Sequence, residues 1–202
     1  MKKFNYLIDI LKLIYLRKIK IVFSSPKKCK ILLVDHFREN EVVDNLLKPE
    51  EFEVLDTRFG FIDNFSNLRN YSRIFLSFKM LLYFLYFYFF KKKYSFFNSY
   101  VCAYIKISDA KVILDVTKYG FLLECLDCFP NKKFIFVLEY LYLQKTDENG
   151  LGIKHPFHIY LIKLIKKNSN KNFDNLFISV LGNKDKDVLL ELGLNKKINI
   201  FP

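Results

Sequence analysis

Five short apolar runs punctuate the chain: "KILLVD" (30–35), "FEVLDTR" (52–58), "AKVILDV" (110–116), "KKFIFVLEY" (132–140) and "NLFISVLG" (175–182). Each is a short apolar run and reads as a strand of a parallel sheet. Between them lie segments with helical spacing. "RENEVVDNLLK" (38–48) gathers Val42, Val43, Leu46 and Leu47 on one side and stops at Pro49. "KYGFLLECLDCF" (118–129), "PFHIYLIKLIKK" (156–167) and "NKDKDVLLELG" (183–193) follow, the last with Asn183 and Gly193 placed as caps. A long helical region is expected over 66–107, broken near 91–93, and "KINIFP" (197–202) reads as a further strand. Strands alternating with helices at this spacing mean βαβ units with right-handed connections. The fold class is α/β, a Rossmann-like three-layer domain with a mostly parallel sheet.

The 202 residues suffice for one such domain with a substantial core. Apolar residues at 51 % and charged residues at 27 % exclude a disordered or collagen-like chain. The net charge of +12 is concentrated at the start: residues 1–30 hold nine basic side chains against Asp9 alone. Phe4, Leu7, Ile8, Leu11, Ile14 and Tyr15 fall on one helical stripe, so residues 1–25 read as a basic amphipathic helix, ended by the "SSPKK" break at 24–28. It either packs on its own domain or lies on an anionic membrane, with Lys2, Lys3, Lys12, Arg17, Lys18 and Lys20 facing the headgroups. Asp9 and Lys12 interrupt any signal-peptide core, so the expected location is cytoplasmic, peripheral on the inner face of the cytoplasmic membrane. The basic excess sits on one helix and no recognition module accompanies it, so no nucleic-acid partner is expected.

"MLLYFLYFYFF" (80–90) has no charge and seven aromatic residues, then meets Lys91, Lys92 and Lys93. A membrane-spanning helix needs about 20 apolar residues, and this run is shorter. It falls where a crossover helix covers a sheet face, so burial in the core is the first expectation, with insertion into one leaflet as the alternative.

No glycine follows the first strand in "VDHFRE", which removes both the dinucleotide fingerprint and the P-loop, and no cofactor is expected. In an open parallel sheet, ligands bind beyond the carboxyl ends of the strands. That rule selects Asp35, His36 and Arg38, then Arg58, then Asp115, Thr117 and Lys118, then Glu139 as candidate substrate-binding residues; no catalytic residue stands out. Cys125 and Cys128 have CxxC spacing, but no second pair exists and His155 and His158 lie far downstream. No metal is expected, and the four cysteines read as free thiols of a reducing compartment.

The order and wording of "FSSPKKCKILLVDHFRENEVVDNLL", "FEVLDTRFG", "YVCAYIKISDAKVIL", "FPNKKFIFV" and "LGNKDKDVLLELGL" resemble the N-terminal half of bacterial surface-carbohydrate biosynthesis transferases of GT-B-like type. The resemblance covers residues 20–202, and after the helix 1–25 read from periodicity and charge it implies a GT-B N-terminal-type domain over 26–202. It implies a glycosyltransferase-related domain of surface-polysaccharide or lipid-linked glycan biosynthesis, working on the acceptor side. A GT-B enzyme holds its nucleotide-sugar donor mainly in a second domain, so donor binding is expected only with such a domain or a partner chain, and the chain alone is expected to be inactive. In that family the third strand typically ends in Asp-Asn and the fourth in Gln-Asn-Gly. Here they read Asp115-Val116 and Leu138-Glu139-Tyr140. A non-catalytic membrane-surface or assembly protein is therefore the alternative reading.

Overall fold

The computed structural model describes residues 19–35, 48, 50–56, 72–91, 94–115, 120–138, 143–146, 150–153, 161, 163, 173–180, 182–191 and 199–201. Helices and mostly parallel strands make this an α/β protein. It divides into two compact units, Met1–Ala110 and Lys111–Pro202.

In the first unit, β1 (Ile19–Val22), β2 (Ile31–Asp35), β3 (Phe52–Asp56) and β4 (Ser72–Phe75) precede α1 (Phe78–Phe90) and α2 (Phe96–Ser108). β2 and β3 pair in parallel, from Ile31 opposite Phe52 to Asp35 opposite Asp56. β1 and β4 form a second parallel pair, Ile19 opposite Ser72 and Val22 opposite Phe75. This pair departs from expectation twice. The end of the segment read as a basic helix is strand, because Ile19, Ile21 and Val22 are β-branched and find a ladder partner. The start of the region read as helix from 66 is also strand, since Ile74 and Phe75 complete that ladder. Residues 1–18 and the expected helix 38–48, apart from Lys48, lie outside the described residues.

Helix α2 forms the centre of this unit. Phe97, Tyr100, Val101, Cys102, Ala103, Tyr104 and Ile105 are all buried. Two tyrosines tie the helix to two strands. The Phe75 amide of β4 donates to the Tyr100 hydroxyl at 3.0 Å, and the Tyr104 hydroxyl donates to the Val54 carbonyl of β3 at 3.2 Å. Burial, with the nearby Glu53 charge second, pushes the Tyr104 hydroxyl above its ordinary pKa, so it remains a donor at any physiological pH. Ser95 caps the start of α2 by accepting from the Asn98 amide, and Asp109 ends it in the left-handed conformation at φ 60°, which Asp tolerates better than most residues.

In the second unit, β5 (Val112–Asp115), α3 (Phe121–Cys125) with a 3-10 turn (Leu126–Cys128), β6 (Lys133–Leu138), β7 (Leu143–Thr146), β8 (Gly150–Ile153), β9 (Leu176–Val180), α4 (Asn183–Glu191) and β10 (Asn199–Phe201) follow in order. β5, β6, β9 and β10 run parallel, β6 lying between β5 and β9, and β9 between β6 and β10. Fully buried residues alternate along them: Ile113 and Asp115, then Phe134, Phe136 and Leu138, then Leu176, Ile178 and Val180. Asn175 holds the end of α3 and its turn, its Nδ2 donating to the carbonyls of Leu126 and Phe129 at 3.2 and 3.3 Å. β7 and β8 pair antiparallel, Leu143 opposite Ile153, a hairpin the expected alternation does not contain. Of the expected helix 156–167, Leu161 and Lys163 are described, both helical.

Candidate functional site

The carboxyl ends of the parallel strands bear three aspartates. Asp35 and Asp56 are register partners at the ends of β2 and β3. In the other unit, Asp115 ends β5 opposite Phe136 and is 1 % exposed. A carboxylate buried to this degree is costly unless its surroundings compensate its charge. His36, Arg38, Arg58, Thr117, Lys118 and Glu139 lie outside the described residues, so of the expected strand-end set the structure places Asp35 and Asp115. Asp56 joins them: the strand read as ending at Arg58 already carries a carboxylate at its last paired position.

Among the described residues, no group of three or more His, Cys, Asp or Glu is arranged to hold a metal ion. Cys125 is buried on α3 and Cys128 is half-buried on the turn after it, neither in a disulfide, and His155 and His158 lie outside the described residues.

The second feature is α1, and it corrects the expectation of a core helix. Ser77 caps it in extended conformation, its side chain accepting from the Met80 amide at 3.2 Å. Only Met80 and Phe87 are buried; with half-buried Phe84 and Tyr88 they form an i, i+4, i+7, i+8 face. That face meets α2 through Phe96, whose ring lies 4.7 Å from Phe84 and 6.2 Å from Tyr88. The opposite face carries Phe78, Leu82, Leu85, Tyr86 and Phe89, all exposed: Phe78 by 75 %, Leu82 by 51 % and Phe89 by 62 %. The reason for the departure is geometric. A helix apolar all round needs cover on every side, and among the described residues α2 supplies it on one.

Charge frames this stripe. Lys79 and Lys91 at the two ends of α1 are exposed, and Lys92 and Lys93 follow directly in the sequence. On the neighbouring ladder, Lys20 of β1 and exposed Arg73 of β4 are register partners. Lys20 is thus on a strand, while Lys2, Lys3, Lys12, Arg17 and Lys18 lie outside the described residues. At 13 residues α1 is about 20 Å long, against a hydrocarbon core of about 30 Å. No helix among the described residues is long and apolar enough to cross a membrane.

Sequence reasoning missed the exposed residues around α1, namely Phe23, Leu76 and Phe78. The available signal was the run itself, which offers no polar face to solvent. No protein-family model, no curated protein and no solved structure matches the chain.

Proposed function

We propose that this chain is a glycosyltransferase-related, Rossmann-like domain of surface-polysaccharide or lipid-linked glycan biosynthesis, working on the acceptor side at a membrane surface. The observation that carries the membrane part is the outward stripe of α1, made of Phe78, Leu82, Leu85, Tyr86 and Phe89, with Lys79 and Lys91 near its two ends. A large exposed apolar patch rimmed by charge marks an interaction surface. Phe and Tyr beside Lys suit the interface of an anionic bilayer, where apolar bodies enter the acyl boundary and ammonium groups reach phosphates. Each outward Leu or Phe contributes about 1.5–3 kcal/mol if fully desolvated, and each nearby lysine about 1 kcal/mol.

The glycan part rests on the segment order from 20 to 202 and, in each unit taken by itself, on parallel strands with aspartate at their carboxyl ends, Asp35 and Asp56 in the first and Asp115 in the second, where such strands receive ligands. A lipid-linked acceptor joins the two parts, since its anchor lies in the surface that α1 meets. The nucleotide-sugar donor comes with a second domain or a partner chain, and the chain's place is peripheral, on the inner face of the cytoplasmic membrane.

A non-catalytic membrane-surface or assembly role is the second reading, favoured by Val116 and Glu139-Tyr140 at strand ends where the resembled family has amide-bearing motifs. Flotation with anionic vesicles, with and without a polyprenyl-linked oligosaccharide, separates the two. The enzyme-related reading expects flotation that strengthens with the glycolipid. Flotation indifferent to it supports the second reading, and absence of flotation contradicts both.

A further inference from the structure

We infer that the chain seats on an anionic bilayer with α1 lying flat in the interface, and that Phe23, on the loop after β1, enters the same leaflet beside Phe78 as a second anchor. This rests on the membrane reading of α1 and adds its geometry.

The apolar surface does not end where the helix starts. β1 and β4 close their register at Val22 opposite Phe75, and the Leu76 amide then donates to the Val22 carbonyl at 2.8 Å, carrying the ladder to its last step. Phe23 and Leu76 follow directly, 82 % and 44 % exposed, two large apolar side chains on adjacent chains at one end of a ladder. The loop is also tied to the helix. Ser25 Oγ and Ser77 Oγ share a hydrogen bond of 2.7 Å, and Ser77 is the residue that caps α1. Phe23 is therefore held two residues from a serine bonded to the helix cap, and Phe78 is the first residue after that cap.

Charge placement favours the flat pose. Entry by the carboxyl end of α1 would drive Lys91, with Lys92 and Lys93 behind it, towards the acyl region first. Entry by the amino end would bury Lys79 while leaving Leu85, Tyr86 and Phe89 in water. Lying flat, the helix sinks Phe78, Leu82, Leu85, Tyr86 and Phe89 together while both terminal lysines reach headgroups. The same charges argue against a second copy on this face, because it would bring together the lysines of two chains of net charge +12.

The sequence contains no tryptophan, so single-Trp variants of the full chain report depth without background. The variants are Phe23→Trp, Phe78→Trp, Leu82→Trp and Phe89→Trp, with Asn131→Trp, exposed in the other unit, as the reference. Each is mixed with vesicles of phosphatidylglycerol and phosphatidylcholine carrying bromines at defined acyl depths, after circular dichroism has matched it to the parent. The four test positions are expected to shift to the blue and to be quenched at one shared depth, with Asn131→Trp unchanged. In addition, Phe23→Ser is expected to weaken vesicle partitioning by about tenfold, the loss of one buried aromatic side chain.

Quenching at 82 and 89 with Trp at 23 remaining in water overturns this inference and leaves membrane binding standing. Deep quenching at 89 with shallow quenching at 78 overturns the flat pose. No quenching at any position overturns the membrane reading itself. A blue shift without vesicles that grows with protein concentration assigns the face to a second copy and overturns the inference as well.

Discussion

The rings of Phe84 and Phe96 meet edge to face at 4.7 Å, and this contact divides helix α1 into a covered side and an uncovered one. Phe84 belongs to the inner face that packs on α2, while Leu82 and Leu85, on either side of it in sequence, look outward. The arrangement explains how a helix without a polar face is held in place without being enclosed. Packing against α2 anchors it, and Phe78, Leu82, Leu85, Tyr86 and Phe89 remain exposed.

The two tyrosines of α2 are expected to differ in what they contribute. Tyr100→Phe leaves the buried Phe75 amide without its acceptor, a loss of about 1–3 kcal/mol. Tyr104→Phe removes a donor from the Val54 carbonyl on a residue that water reaches, a loss of about 0.5–1.5 kcal/mol. Urea unfolding of both variants checks the order; an equal or reversed cost would contradict the assignment of Tyr100 as the more critical strap.

Ser77 has two tasks, accepting from the Met80 amide and sharing a hydrogen bond with Ser25. Ser77→Ala is expected to cost about 1 kcal/mol through the cap alone. Because Ser25→Ala removes one of the same two bonds, the double variant should cost less than the sum of the single ones. Strict additivity in denaturant melts would show that the Ser25–Ser77 bond contributes nothing in solution.

Glu51 accepts from Lys30 Nζ at 3.1 Å, and this hydrogen bond, with the lysine's charge second, holds its carboxyl below the usual value. A depressed carboxylate contributes stability above its unfolded pKa and loses it as pH falls through the folded one. Lys30→Met should therefore raise the Glu51 pKa in an NMR titration and flatten the acid limb of the stability curve. Unchanged titration would place the pair's effect elsewhere; the site is exposed, so the stability change is small.

Nucleotide sugars are expected to show no saturable binding to residues 1–202 in calorimetry. The first strand is followed by "VDHFRE", without the glycine turn that receives a diphosphate. Micromolar affinity would show that the chain holds its donor without a second domain or partner.

The parallel strands were legible because their physics is local. β2, β3, β5, β6 and β9 are each a short, mainly apolar run, and each lies where its run was read. β1 and β4 were not, because Ile19–Val22 and Ser72–Phe75 become strands only by meeting each other, and each alone fits the helical spacing of its neighbours. The hairpin of β7 and β8 similarly depends on pairing between two four-residue segments that are unremarkable alone. At the strand ends, the residues after each apolar run selected Asp35 and Asp115, while at the second strand Arg58 was selected and Asp56, its last paired residue, was passed over. For α1 the sequence pattern specified a helix apolar on every side but not how many neighbours it would have. That number is set by tertiary packing, and α2 takes up one face.

The most direct test of the account is flotation of the full chain with phosphatidylglycerol-containing vesicles, comparing the parent with Leu82→Ser/Phe89→Ser. Both positions are exposed on α1, so the double variant should fold as the parent does. The account predicts that the parent floats, that raising salt weakens its binding through the lysines, and that the double variant loses about 3 kcal/mol of partitioning or more. Equal flotation of parent and double variant, or binding that ignores both salt and substitution, would contradict the claim that the outward face of α1 is a membrane-contact surface.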